Sequence, residues 1–358
     1  LPNEKWWGGF TALGYMMPYQ SSDRTYNLRT ENFNNQSTSV LLSNKGRYIA
    51  ATEPFAYRFT DDKLIITSSE KISVAQQGNT LRTAYKGAFQ RFPSSAFTPP
   101  ELFFTRPQYN TWIELTYNQN QRDVLAYAQA IVDNAMPTGI IMIDDNWQKD
   151  YGVWQFRPDK FPTPKAMIDQ LHAMGFKVML WVCPFVSADS EQYRYLKRKG
   201  YLIKKKGSQS PAIISWWNGY SACYDLSNPE AFAYLLNELK MLQKEYGVDG
   251  FKFDAGDPQF YSAEGIDVFD KQSYDVLQTQ LWAKLGVEFP FNEFRACWQL
   301  GNLPLVQRLG DKSYSWNGVA RLIPDMIAAG LNGYAYTCPD MIGGGEYRSF
   351  ENIDPDKF

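Results

Sequence analysis

From Thr111 onwards short apolar strands alternate with amphipathic helices, and this alternation confines the larger part of the chain to a parallel α/β sheet. Strands are expected at residues 112–117, 139–144, 176–182, 250–254, 293–297, about 308–311 and 332–338. Between them helices are expected at residues 122–133, 164–174, 229–246, 272–285 and 319–329. The third strand is followed by a long connection through Trp216 and Trp217. Polar, aromatic or acidic residues follow strand after strand. That pattern suits a (β/α)8 TIM barrel, whose chemistry collects at the C-terminal ends of its strands. Seven strands fit before Phe358, so either the eighth is expected from sequence absent here or the barrel is incomplete.

Residues 1–106 read differently. Alternating runs at residues 39–42, 47–50, 55–59 and 63–67 are broken by the turn-forming triplets N-K-G and D-D-K. With no helical periodicity read in this part, it is expected to be β-rich, part of a β-sandwich. Pro93, Pro99, Pro100 and Pro107 mark a linker, which divides the chain into a β-rich domain over 1–106 and a barrel over 107–358.

Composition narrows the function. With 44% hydrophobic and 21% charged residues the chain has material for a sizeable core. No apolar run approaches the roughly 20 residues of a membrane helix. A net charge of −2 gives no general attraction to nucleic acid or an anionic surface, and the lysines at 197, 199 and 204–206 read as a solvated helix end and loop. The single histidine, His172, argues against a His-based metal site or a Ser-His-Asp triad. The four cysteines lack the paired spacing of a zinc site and do not make a disulfide framework. The glycines at 343–345 lack the pattern of a phosphate loop and read as a turn or hinge. Neither metal nor cofactor is expected.

The stretch G-F-K-F-D-A-G-D at residues 250–257 concentrates the chemistry. Side chains alternate along a strand, so Lys252 and Asp254 share one face while Phe251 and Phe253 share the other. Charges in such a place need a partner or a ligand, and a buried structural ion pair is the plainer reading. The residues that follow the other strands are Tyr117; Asp144, Asp145 and Trp147; Trp181 and Cys183; Arg295 and Trp298; Asp311; and Cys338 with Asp340. In a barrel they converge on one mouth. Carboxylates with tryptophans and no metal-ligand set point to glycoside hydrolysis, which needs two carboxyl groups flanking the scissile bond. Each tryptophan also suits a core, and Asp144-Asp145 also suits a helix cap.

The segment around Asp254 resembles the nucleophile strand of glycoside hydrolase family 31 and its clan. The resemblance extends through M-I-D-D-N-W at 142–147, L-W-V-C-P-F at 180–185, S-W-W at 215–217 and P-D-M-I-G-G at 339–344, and covers roughly residues 110–345. In F-R-A-C-W…R-L-G-D, Arg295 precedes Asp311 by 16 residues, as the family's sugar-binding arginine precedes its acid/base aspartate. Within the family the chain looks most like the myogenesis-regulating glycosidase subgroup. The N-terminal strands would then be the tail of a mutarotase-like β-sandwich, and family habit favours an exported protein.

The resemblance implies a retaining, exo-acting α-glycosidase that removes a terminal α-linked hexose from an oligosaccharide or glycoside. Asp254 would be the nucleophile and Asp311 the acid/base, about 5–5.5 Å apart. Lys252 is expected to lower the pKa of Asp254, and the surroundings of Asp311 to raise that of the acid. Asp144, Asp145, Lys252, Arg295 and Asp340 would bind sugar hydroxyls, with Trp181, Trp216, Trp217 and Trp298 around them. Family α-glucosidases carry a histidine where this chain has Pro339. Together with the D-D-x-W and K-x-D motifs, shared with the α-galactosidases of family 36, this favours an α-galactoside over an α-glucoside or α-xyloside. A non-catalytic carbohydrate-binding protein on the same fold is the alternative from another class.

Overall fold

The computed structural model describes residues 1–261, 265–271, 275–349 and 351. Its largest sheet contains seven strands, all parallel, with neighbours in sequence order. They are β1 (Gln108–Asn110), β2 (Ile140–Ile143), β3 (Lys177–Val182), β4 (Gly250–Phe253), β5 (Phe291–Phe294), β6 (Gln307–Arg308) and β7 (Thr337–Cys338). The helices that cross between them are α1 (Gln121–Asp133), α2 (Pro164–Ala173), α3 (Pro229–Tyr246), α4 (Asp275–Gly286) and α5 (Trp316–Leu331). The expected start of α4 at residues 272–274 lies outside the described residues.

Strand parity divides the core. Ile141, Ile143, Val178, Leu180, Phe251 and Phe253 belong to the large apolar cluster that also holds α1 to α4, whereas Ile140, Met142, Met179 and Val306 gather with Phe103 in a smaller one. The small cluster fills the sheet's concave side below the site, and the large one lies under the helices. Gly250 has no room for a Cβ, because the β5 backbone at Phe291 lies against it.

Three expected strands move. The seventh, expected at residues 332–338, begins only at Thr337, because α5 runs on to Leu331 and Asn332 caps it. β1 ends at Asn110, because the Asn110 side-chain oxygen accepts from the Trp112 N–H (2.8 Å) and turns the chain into a short helix, Trp112–Leu115. The fifth expected strand begins two residues early, and its end leaves the barrel: Cys297–Trp298 pairs with the N-terminal strand Gln36–Ser43. The long connection after β3 contains a helix, Glu191–Lys199, and an antiparallel sheet of Phe185–Ser187, Ile214–Trp216 and Gly219–Cys223.

The N-terminal part forms antiparallel sheets, one built on Trp6–Phe10, Gln36–Ser43, Arg47–Ala50 and Ala75–Gln76, the other on Tyr26–Asn27, Ala56–Phe59 and Leu64–Thr67. It is not free of helix. Leu81, Ala84, Tyr85, Ala88 and Phe89 recur at helical spacing, and Thr80 with Thr83 forms a capping box at the start of Leu81–Phe89. No helix among the described residues is long and apolar enough to cross a membrane.

Candidate active site

β4 delivers Lys252 and Asp254 to the concave side at its C-terminal end, as its parity requires. Behind them Ala255 and Gly256 take positive φ, and a Cβ on Gly256 would strike the Trp282 indole, so the turn that follows Asp254 needs glycine there. Asp254 is 9% exposed. The Trp181 indole N–H donates to its Oδ2 (2.9 Å), an Nη of Arg308 donates to its Oδ1 (3.2 Å), and the Arg295 Nε lies 3.6 Å from the same oxygen. Burial opposes ionisation here, but Arg295, Arg308 and Lys252 outweigh it. Together with the Trp181 hydrogen bond they hold the Asp254 carboxyl well below the usual carboxylate range.

The lysine expected to do this acts from a distance. The Lys252 Nζ donates to Asp144 Oδ2 at 2.6 Å, and both side chains are buried. Asp145, beside it, accepts from the hydroxyl of Tyr151 (3.1 Å) and the amide of Asn218 (2.8 Å). Burial, opposed by a hydrogen bond from Gln148, pushes the Asp145 carboxyl up to about 7. Glu293 lies across from Lys252 in the β4–β5 register and 3.3 Å from the Arg308 Nε; burial raises its carboxyl, with Lys252 and Arg308 opposing.

A cavity of about 360 Å³ opens over these groups. Asp144, Asp145, Trp181, Trp217, Lys252, Asp254, Arg295 and Asp311 all line it, so eight of the expected site residues come together. Tyr117 and Trp112 from the loop after β1 close one side, with Met341, Gly345 and Tyr347 from the loop after β7. The Trp112 indole N–H donates to the Gly345 carbonyl (3.2 Å) and ties those two loops together. Trp217 is exposed, with the Arg295 guanidinium 4.7 Å from its ring centre. Arg295 is itself held by an ion pair with the fully buried Asp257.

Three of the residues expected to contact sugar do not line this cavity. Trp298 is buried among Trp6, Phe10 and Leu41, because its strand leaves the barrel for the N-terminal sheet. Trp216 sits behind the wall, its ring packed on Tyr151 and Phe185 and its N–H given to Ser221 (3.1 Å). Asp340 turns its carboxylate onto the backbone N–H groups of Lys312 (3.0 Å) and Gly345 (3.1 Å), which shapes the loop after β7. Asp340 and Pro339 line a second cavity of about 390 Å³, on the other side of Arg295 and Asp311, which belong to both.

Asp311 is in a different setting from the one expected. Its side chain is 43% exposed and accepts from an Nη of Arg308 at 2.7 Å. Arg308 therefore contacts Asp254, Asp311 and Glu293 at once. Arg308 is not among the residues expected at the site, although it opens the R-L-G-D motif; the signal for it is an arginine at the end of the sixth strand, three residues before the acid. Tyr151, Asn218 and Glu293 are likewise not among the residues expected at the site. The first two lie in loops with no periodic pattern to aim them.

Residues 99–291 match the Glycosyl hydrolases family 31 TIM-barrel domain. Myogenesis-regulating glycosidase of Mus musculus is 30% identical over 277 residues, 75% of this chain and 38% of that protein. Alpha-xylosidase XylQ of Lactiplantibacillus pentosus is 27% identical over 168 residues, 45% of this chain and 21% of that protein. The chain thus matches well under half the length of these relatives. Among solved structures, a Flavobacterium johnsoniae family 31 dextranase complexed with glucose superposes with a TM-score of 0.79 at 18% identity, covering 96% of this chain and 46% of that one. A family 31 alpha-xylosidase from a soil metagenome, complexed with xylose, gives 0.74 at 20% identity, covering 96% and 52%. These superpositions show a shared fold. With the family's barrel-domain model matching more than half of its residues, the chain belongs to glycoside hydrolase family 31.

Proposed function

We propose that this chain carries the catalytic apparatus of a retaining, exo-acting α-glycosidase. The observation that carries the reading is Asp254, a buried carboxylate kept charged by surrounding cations in a cavity that Asp311 shares. Asp254 attacks the anomeric carbon as the glycosidic C–O bond breaks, and Asp311 gives its proton to the departing oxygen. In the second half-reaction Asp311 takes a proton from water, the water oxygen bonds to the anomeric carbon, and the bond to Asp254 breaks. A retaining reaction uses carboxyls about 5–5.5 Å apart, and a pair bridged by one guanidinium is compatible with that spacing.

The sugar's hydroxyls would meet Asp144, Asp145, Lys252 and Arg295, with its apolar face on Trp217 or Trp181. We read the bound unit as a galactosyl residue whose axial O4–H is received by Asp144 or Asp145 with Lys252 as donor. Supporting this, the Asp144–Lys252 pair is buried at the floor of the cavity that Asp254 also lines. The second reading is an α-xyloside or α-glucoside, favoured by relatives named alpha-xylosidase and 1,3-alpha-isomaltosidase. The N-terminal antiparallel sheets belong to this proposal as part of a mutarotase-like sandwich.

Hydrolysis of nitrophenyl α-galactoside, α-glucoside and α-xyloside by the chain tests both levels. The α-galactoside should turn over fastest, since a site built to pair one hydroxyl rejects its epimer by up to roughly 10⁴-fold. Asp254→Asn should abolish turnover and keep sugar binding. Asp311→Asn should slow glycosides with poor leaving groups far more than nitrophenyl ones. Preference for xyloside or glucoside would discard the galactosyl reading. Sugar binding without hydrolysis of any substrate would favour the non-catalytic alternative.

A further inference from the structure

We propose that Arg308 is the positioning residue that holds the nucleophile and the acid/base together and balances the charge that passes between them in the two half-reactions. The proposal rests on the assignment of Asp254 and Asp311 above. One Nη donates to Asp254 Oδ1 at 3.2 Å, the other to Asp311 Oδ1 at 2.7 Å, and the Nε lies 3.3 Å from Glu293. Arg308 is 5% exposed, and its main-chain carbonyl is fixed by the Gln36 amide at 2.8 Å. A planar fork pinned at three corners leaves neither carboxylate free to drift.

The chemistry explains why a cation belongs there. When the glycosyl-enzyme forms, the Asp254 oxygen bonds to the anomeric carbon and loses its negative charge. The electron pair of the broken C–O bond goes to the leaving oxygen, which takes the proton of Asp311. One anion beside Arg308 disappears as another appears, and the same guanidinium touches both. Deglycosylation reverses the exchange. Arg308 also faces Glu293 and Asp340 as anions and Lys252 and Arg295 as cations. Asp311 shares its two cavities with Arg295, Lys312, Asp340 and Glu346. Among the described residues, Arg308 is the cation in hydrogen-bond contact with Asp311.

The test is the pH profile of kcat/KM, whose limbs report the free enzyme's nucleophile and acid. A guanidinium beside a carboxyl favours its charged form, and Arg308 is one of the cations that keep Asp254 ionised, so it sets the acid limb, where Asp254 takes up a proton, at a lower pH than it would otherwise have. Arg308→Gln in the full chain should raise that limb by about 1 pH unit or more. Arg308→Lys keeps one charge but cannot serve both carboxylates, so it should move one limb and lower kcat at least tenfold on poor leaving groups. A fall in kcat with both limbs at their wild-type positions, in either variant, would overturn the proposal and leave a merely structural arginine. That outcome requires an active wild type. A wild type with no glycosidase activity would sink the functional reading and this role with it.

Discussion

Asp145 combines deep burial with four neighbouring hydrogen-bond donors, the backbone N–H of Asn146 and the side chains of Gln148, Tyr151 and Asn218. Burial dominates, and the carboxyl titrates near 7 in the folded protein against an ordinary value of 3.8. Across that window the folded chain holds a proton that the unfolded chain has released, so the contribution of this group to stability falls as pH rises. Asp145→Asn removes the titration. Urea unfolding at pH 5 and pH 8 should show the variant gaining on the wild type at the higher pH, by an amount on the order of a few kcal/mol. A difference that stays flat across that range would refute the raised titration. Arg308 teaches another lesson at this scale. Its three carboxylates lie 3, 15 and 54 residues away along the chain, and only the first separation leaves a local trace in the sequence.

At the scale of elements, the strand Gln36–Ser43 acts on the site from outside the barrel. The Gln36 amide donates to the carbonyls of both Arg295 and Arg308, each at 2.8 Å. Just before it, Asn35 Oδ1 accepts from the Gly310 N–H (2.9 Å), and the Asn32 amide donates to Asp257 (2.9 Å), the partner of Arg295. This strand therefore sets the backbone under the two arginines that keep Asp254 charged. Gln36→Leu should cost about 1–3 kcal/mol for each carbonyl that finds no other donor. Activity on nitrophenyl glycosides, measured well below the melting temperature, should fall in kcat more than it changes in KM. Unchanged kcat in a destabilised variant would show that the strand supports the fold without setting the arginines.

Across the whole molecule, the barrel and the N-terminal sheets exchange elements. Cys297–Trp298 adds a parallel strand to the N-terminal sheet, and Trp298 fills that sheet's core beside Trp6 and Phe10. On the same side α5 packs against the 3-10 turn Thr11–Met16, where Gly14 leaves no space for a Cβ against Pro324 and Arg321 donates to the Ala12 carbonyl (3.1 Å). Neither part buries its surface without the other, so denaturant unfolding should be one transition. Far-UV circular dichroism and tryptophan fluorescence should then report the same midpoint. Two resolved midpoints would show that the sheets and the barrel are independent units.

The sequence by itself determined what local periodicity encodes. Seven parallel strands with helices between them, and the shared face of Lys252 and Asp254, follow from spacings of two and of three to four residues along a single element. The motifs around Asp144, Trp181, Asp254 and Asp311 could be located for the same reason. Tertiary structure alone decided which of the tryptophans meet the cavity. Trp181 and Trp217 line it, Trp216 backs it, and Trp298 went to a sheet whose strand lies about 260 residues earlier in the chain. It also decided that Arg308 bridges the two carboxylates and that Asp340 fastens a loop. Those outcomes depend on contacts between remote segments, and an aromatic ring or a buried charge satisfies its burial or pairing in any of several places. Which place it finds is settled when the segments dock, and no spacing along the chain records that.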